Sequence, residues 1–230
     1  MGHRMAEPAA NGLRYERKFV TFELDQAETL AVVRFHPALF REVFHARFVN
    51  NIYFDTPSFD HYQANVGGVA DRVKCRIRWY GAPLGPIARP TLELKRKHGL
   101  LGSKESHPLR PFELEAGFDT RLLFEKSDLP EPLRCDLASL RPVLMNRYRR
   151  RYFVSRDESY RLTLDSELGF RPPTRGPSRF PSWVGRDGRV IVELKFGIGK
   201  EEEAARIATR FPFRLTRSSK YVVGVDALYG

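Results

Sequence analysis

Cysteine is scarce in this chain: two in 230 residues, Cys75 and Cys135. Neither stands at a metal-ligand spacing, which excludes a zinc module or a disulfide framework as the organising device, and both read as free buried thiols. No eighteen apolar residues run together, and the amino terminus lacks the basic-then-apolar order of a secretory signal. The expectation is therefore a soluble, cytoplasmic protein without a membrane segment of its own. No glycine-rich phosphate loop is present, so any phosphate would have to be held by side chains. The histidines, His36, His45, His61, His98 and His107 together with His3 in the tail, show no metal spacing and no Ser/His/Asp arrangement. Acidic residues are in short supply: 28 stand against 39 basic ones, a formal charge of +11. An excess of that size asks for an anionic partner, and nucleic acid, a membrane surface and a phosphorylated small molecule all qualify.

With 42% hydrophobic and 12% aromatic residues, the chain can bury a large core. Its organisation reads as a polar tail over residues 1–12 followed by one domain over residues 13–230. Asp25 with Glu28 forms a capping-box pattern for a helix from Gln26 to Phe35. Thr56 and Pro57 mark the start of another helix, ended by Gly67 and Gly68. Helical stretches are also expected near 120–126, 136–140 and 200–210, and a proline- and arginine-rich exposed loop from Arg171 to Gly188.

The strands carry the functional signal. In DRVKCRIRWYG, Arg72, Lys74, Arg76 and Arg78 alternate with Val73, Cys75, Ile77 and Trp79, which places four cations on one face of a strand and four apolar groups on the other. The pattern recurs in RYERKFV (Arg14, Glu16, Lys18), TLELKRKHG (Glu93, Lys95, Lys97), YRLTLDSEL (Arg161, Thr163, Asp165) and VIVELKFG (Glu193, Lys195). Solvent faces mix Ser, Thr, Gln and Lys, whereas these are dense in arginine, with single carboxylates two residues from a lysine. That composition suits a shared interior, an antiparallel β-tunnel. Like charges facing one cavity are costly unless neutralised, and a phosphate chain supplies the neutralisation through arginine forks and lysine point charges. The carboxylates would repel phosphate unless a hard cation, Mn2+ or Mg2+, bridges the two. Glu193 is thus either a metal ligand or the buried partner of an arginine, and Glu16 and Glu93 have the ion-pair role open to them as well.

Taken in order, IYFDTPSFDHYQ, IRWYG, ELKRK, RYRRRYF, RLTLD, VELKFG and SSKYVVGVDAL make the chain resemble the catalytic domain of the vacuolar transporter chaperone (VTC) polyphosphate polymerases, within the triphosphate tunnel metalloenzyme superfamily. The resemblance runs from Arg14 to Leu228. It implies an α+β fold built on an eight-stranded antiparallel β-barrel tunnel with helices outside, and an ATP-dependent polyphosphate polymerase activity. It also implies roles. Arg76, Arg78 and Lys97 or Lys95 would bind nucleotide or polymer phosphates, with Arg150 and Lys220 among the catalytic cations. Lys18, Lys74, Lys104, Tyr148, Arg161, Arg217 and Ser219 would complete the phosphate-binding lining, Ser219 and Lys220 at the start of a helix. Glu193 would hold the metal, and ATP and inorganic polyphosphate would be the partners.

Two positions depart from the pattern. Many tunnel metalloenzymes open with Glu-x-Glu-x-Lys, and Arg14 stands at the first glutamate, which points away from the hydrolase branch. Arg217 stands where a lysine is expected, keeping charge but not geometry. The eukaryotic relatives also carry an inositol-phosphate sensing domain and membrane spans; this sequence has neither, so any membrane partner would be a separate chain. Nucleic-acid binding is not expected: basic residues with interleaved aromatics would suit it, but no nucleic-acid-binding signature accompanies Trp79, Tyr80, Tyr148 and Tyr152, and Trp79 lies on the apolar side of its strand. Tripolyphosphate or nucleoside triphosphate hydrolysis is the enzyme alternative, and a non-catalytic polyanion-binding domain the other.

Overall fold

The computed structural model describes residues 14–99, 101–115, 117–173, 182–185 and 188–230. The expected tail over residues 1–12, and the part of the expected loop over 174–181 and 186–187, lie outside the described residues.

In chain order the elements are β1 (Arg14–Thr21), α1 (Gln26–Arg34), β2 (Arg41–Asp55), α2 (Asp60–Val66), β3 (Asp71–Tyr80), β4 (Gly85–Ile87), β5 (Thr91–His98), β6 (Leu101–Pro108), β7 (Phe112–Leu114), α3 (Thr120–Lys126), α4 (Glu131–Ala138), β8 (Arg141–Val154), β9 (Tyr160–Arg171), β10 (Val190–Gly197), α5 (Glu201–Thr209), β11 (Arg214–Leu215) and α6 (Lys220–Tyr229). The fold is α+β. Its large sheet is antiparallel and nine-stranded, in the order β11-β1-β10-β9-β8-β2-β3-β5-β6, and β4 pairs with β7 in a small separate ribbon. Eight of the nine are long strands and β11 contributes two residues. Among the described residues no ladder joins β6 to β1 or β11.

Alternation sorts the side chains onto two faces. The outer, apolar face is covered by helices in two patches. Phe19, Leu162, Leu164, Val192 and Leu194 pack against Val33 of α1 and Ala204 and Ile207 of α5. Ile52, Cys75, Ile77, Trp79, Leu92 and Leu94 pack against Leu123 and Phe124 of α3 and Leu133 and Leu137 of α4. Trp79 is 1% exposed and donates its indole N–H to the Ala82 carbonyl, so it is core. Cys75 is buried as expected, its thiol pushed up to about 12 by burial, whereas Cys135 is exposed, contrary to the expectation of two buried thiols. Cys135 lies on α4, between the inward-facing Leu133 and Leu137.

α6 packs differently, on the charged face. Tyr221 and Val225 of α6 join Val49, Tyr53, Leu144, Tyr148, Phe170 and Ile191 in a third cluster. Gly224 makes this approach possible: a Cβ there would lie 2.6 Å from both Leu144 Cδ2 and Phe170 Cδ1. A bulge between Arg147 and Arg149, with Glu167 at φ 53°, shifts the alternation of β9, so that Phe170 and Asp165 both reach α6.

The helix boundaries show what local signals decide. Asp25 and Glu28 form the expected capping box on α1, which stops at Arg34, one residue short of expectation. α2 starts at Asp60 and not at Thr56, because the Asp55 carboxylate captures the Thr56, His61 and Tyr62 amides while Thr56 Oγ1 accepts from the Asp60 amide. The helix expected near 136–140 is α4 at Glu131–Ala138: proline near its first turn starts it early, and β8 begins at Arg141. The expected exposed loop is also partly structured, since Arg171 ends β9 at 3% exposure and Val184 bridges to Phe170.

Candidate functional site

The face under α6 collects charge from seven strands (β1, β3, β5, β6, β8, β9 and β10) and one helix end. Arg150 and Asp165 form a two-pronged contact there at 2.6 and 2.7 Å. Lys220 reaches the other side of Asp165 at 2.6 Å and Glu193 at 3.2 Å. It can do so because it is the first residue of α6, whose N-cap Ser219 accepts from the Val222 amide. Glu193 is surrounded: Lys195 at 3.5 Å, Lys18 at 3.7 Å and Arg150 at 3.7 Å complete its neighbours. Burial disfavours its charge, yet Lys220, Lys18, Lys195 and Arg150 hold it well below the usual carboxylate range. Burial and Glu193 likewise push Glu16 up, and Lys18, Lys95 and Lys195 outweigh them, leaving it at about 2.

A second group forms around Glu93, where Arg76 donates from Nε and Nη2 at 2.8 and 2.6 Å and Lys104 approaches at 2.6 Å. Arg76 also donates to Tyr53 Oη, and Arg78 donates to Asn51 Oδ1 and to Tyr148 Oη, at 3.0, 2.9 and 3.0 Å. The guanidiniums are thus held in place by uncharged acceptors as well as by carboxylates. Lys95 Nζ reaches Glu16 at 3.5 Å, although five strands separate β5 from β1 in the sheet order. The sheet is therefore curved enough for its two ends to meet across the charged face.

Lys74 stands apart. Its Nζ donates to Ser219 Oγ at 2.9 Å, and among the described residues it has no carboxylate partner. Burial, followed by Lys18, Lys95, Arg76 and Arg72, pushes its ammonium down to about 7. Lys74 is thus a lysine surrounded by like charge, with its ammonium disfavoured by its surroundings.

The sequence-predicted residues Arg76, Arg78, Lys18, Lys74, Lys95, Lys104, Tyr148, Arg150, Glu193, Ser219 and Lys220 are thus brought together. Lys97 lies on the same face of β5, opposite Arg72, and makes no ion pair among the described residues. Arg161 and Arg217 are exposed and also unpaired among the described residues. Glu16 and Glu93, for which the sequence left an ion-pair role open, pair with Lys18 and Lys95 and with Arg76 and Lys104 respectively. Asp165 and Lys195 stand on charged faces in the alternating pattern but carried no assigned role, and Asn51 and Tyr53 gave no such signal. Among the described residues no three His, Cys, Asp or Glu side chains gather as a metal site.

A curved antiparallel sheet whose inner face carries these cations and buried carboxylates resembles the architecture of the triphosphate tunnel metalloenzymes. The VTC domain model matches residues 13–229, and the chain belongs to the VTC domain family. That membership gives it a phosphotransferase-type activity that handles nucleotide and polyphosphate. Among curated proteins none matches the chain. Among solved structures, a candidate adenylate cyclase from Vibrio parahaemolyticus superposes with a TM-score of 0.51 at 13% identity, covering 92% of this chain and 98% of its own. The PH1819 protein of Pyrococcus horikoshii OT3 gives 0.49 at 15%, with 91% and 95% covered. A candidate adenylyl cyclase from Hippeastrum, described as having a dominant triphosphatase activity, gives 0.48 at 14%, with 93% and 95% covered. At these identities the Vibrio likeness concerns the fold. No helix among the described residues is long and apolar enough to cross a membrane.

Proposed function

We propose that residues 13–230 form one unit that transfers the γ-phosphoryl group of ATP to the end of an inorganic polyphosphate chain inside a tunnel closed across the Lys95 and Glu16 contact. The observation that carries this reading is Lys74, a half-buried ammonium with four cationic neighbours and, among the described residues, no carboxylate partner, its Nζ donating to Ser219 at the start of α6. A phosphate chain is the ligand that relieves it, because it supplies closely spaced negative oxygens along the whole row.

Arg76, Arg78, Arg150 and Lys220 would hold and align the reacting phosphates, while Lys18, Lys74, Lys95, Lys97, Lys104, Tyr148, Arg161, Arg217 and Ser219 would guide the rest of the substrate. The chain-end oxygen bonds to the γ-phosphorus, the bond from that phosphorus to the β–γ bridging oxygen breaks, and ADP leaves with the electron pair. The attacking oxygen is already anionic, so no strong base is needed, and alignment with charge neutralisation does most of the work. Both oxygens of Glu193 face lysine or arginine. Glu193 and Glu16 are the hard oxygen donors of this face that would suit a divalent cation once their basic partners were matched by phosphate. Glu193, with Glu16 beside it, would hold Mn2+ or Mg2+, which neutralises charge on the transferring group. Arg14, where hydrolases of this architecture carry a glutamate, removes a carboxylate from the first strand and favours polymerase over hydrolase.

The test is primer extension: purified protein, ATP and manganese are given tripolyphosphate, and chain length is followed on a gel. Lengthening of the primer supports transfer to phosphate; shortening of the primer contradicts it.

A further inference from the structure

The charged face continues beyond the residues already described as a row of alternating cations and rings. Lys220 Nζ lies 4.9 Å from the Tyr148 ring centre, and the Arg150 guanidinium lies 5.2 Å from that ring and 5.9 Å from Tyr152. Arg47 follows, 4.8 Å from Tyr152 and 4.2 Å from Tyr80, with Phe44 at 5.7 Å. Strand register explains the row: Arg47 pairs across from Arg150, Phe44 from Tyr152, and Tyr152 from Thr163. Tyr80, at 39% exposure, forms the rim.

At its inner end this row is charge-matched, by Asp165 and Glu193. At its outer end it is not, since among the described residues Arg47 has no carboxylate within ion-pair distance. Among the described residues three buried polar atoms there also lack a partner: Arg47 Nε, Tyr152 Oη and Thr163 Oγ1. Tyr152 and Thr163 are 9% and 7% exposed. Buried donors without acceptors are costly and rare, and three such groups on neighbouring strands of one face leave room for acceptors that a ligand supplies. A flat nucleobase would use the rings but leave the guanidinium charge unmatched. A phosphate group serves the polar groups left without partners, with oxygens for the hydroxyls and negative charge for Arg47.

We propose that Arg47, with the hydroxyls of Tyr152 and Thr163, forms an additional phosphate subsite that holds a polyphosphate chain longer than three units on its way past the Tyr80 rim. The proposal rests on the polyphosphate reading above. It makes chain length a determinant of affinity: a long chain spans from Lys74 to Arg47, whereas tripolyphosphate is held by the inner cations alone.

The experiment measures metal-free affinity for tripolyphosphate, for a long polyphosphate and for a non-hydrolysable ATP analogue, in wild type, Arg47→Gln and Thr163→Val. The expected result is a wild-type preference for the long chain that falls about tenfold in Arg47→Gln and by a smaller factor in the same direction in Thr163→Val, as loss of a charge-assisted contact and of a hydroxyl contact would give. Melting curves check folding, and if Arg47→Gln does not fold, Arg47→Lys and Thr163→Val carry the comparison. Equal losses for long and short chains, or no loss, overturn the subsite. So does a loss confined to the ATP analogue, which would place the nucleoside there. A wild type that binds none of the phosphate chains sinks the polyphosphate reading itself, and the subsite with it.

Discussion

Lys74→Met tests the electrostatics of the site through proton uptake. An ordinary lysine ammonium titrates near 10.5, and the Lys74 value of about 7 means that keeping its charge in the empty protein costs roughly 5 kcal/mol. At pH 7 about half the molecules carry the proton. A phosphate oxygen beside it reverses the balance, so the bound state is fully charged. Binding should then take up about half a proton at pH 7 and approach one proton about a unit higher. The complex holds more protons than the free protein, so affinity must fall as pH rises above 7, by up to about tenfold per unit. The same group affects the empty fold. Its folded value is depressed, so the unfolded chain binds the extra proton between about 7 and 10.5, and this group makes stability rise with pH across that window. Calorimetric titration of tripolyphosphate in buffers of different ionisation enthalpy measures the uptake. Methionine keeps the length of the side chain and removes its titration, leaving only protons exchanged by the phosphate and its other neighbours. Identical uptake in wild type and Lys74→Met would refute the assignment of Lys74 as the unmatched pole.

Other outcomes follow from the same geometry. Glu193→Gln should lower metal-dependent turnover by orders of magnitude while metal-free tripolyphosphate binding persists or tightens, because a negative charge leaves a group of four cations; an active Glu193→Gln enzyme rules out the metal-ligand role. The double change Arg76→Ala with Arg78→Ala should weaken tripolyphosphate binding and turnover together, each lost charge-assisted contact being worth roughly 1.5–3 kcal/mol; unchanged affinity by titration would remove both residues from the phosphate path. Gly224→Ala should lower the melting temperature by an amount equivalent to about 1–3 kcal/mol, since its Cβ meets Leu144 and Phe170, and should slow turnover by moving Lys220; an unaffected variant would show that α6 is loosely seated. Acid should unfold the empty protein as pH falls from about 4.5 towards 2. Glu16 at about 2 and the similarly depressed Glu93, Asp165 and Glu193 give stability that is present above their unfolded values and lost below; a flat melting temperature across that range would contradict these ion pairs.

Much of the site was legible because strand periodicity is a local property. Arg76 and Arg78 had to share a face with Lys74, and Glu193 with Lys195, whatever lay opposite. The curvature that brings Lys95 to Glu16 was not legible, since it depends on the accumulated twist of a whole sheet. The pairing of Arg150 with Asp165 was likewise hidden in strand register, so Asp165 appeared as one more polar residue on a charged face. The placement of α6 on the inner face turns on Gly224, a single missing Cβ within a helix, which pattern reading treats as a weakness. The start of α2 was misplaced for a related reason: Asp55 closes strand β2 and takes the amides that Thr56 and Pro57 signalled for a helix. Arg47 gave no signal at all, being separated from the alternating runs by irregular register in β2.

The most direct measurement is a full product balance. Purified protein is incubated with ATP and manganese, and ADP, orthophosphate and acid-labile polymer are quantified from the same reaction over time. Transfer to a growing chain predicts polymer phosphate accumulating in step with ADP, with little orthophosphate. Orthophosphate equal to ADP, with no acid-labile polymer, would contradict it and make the enzyme a hydrolase.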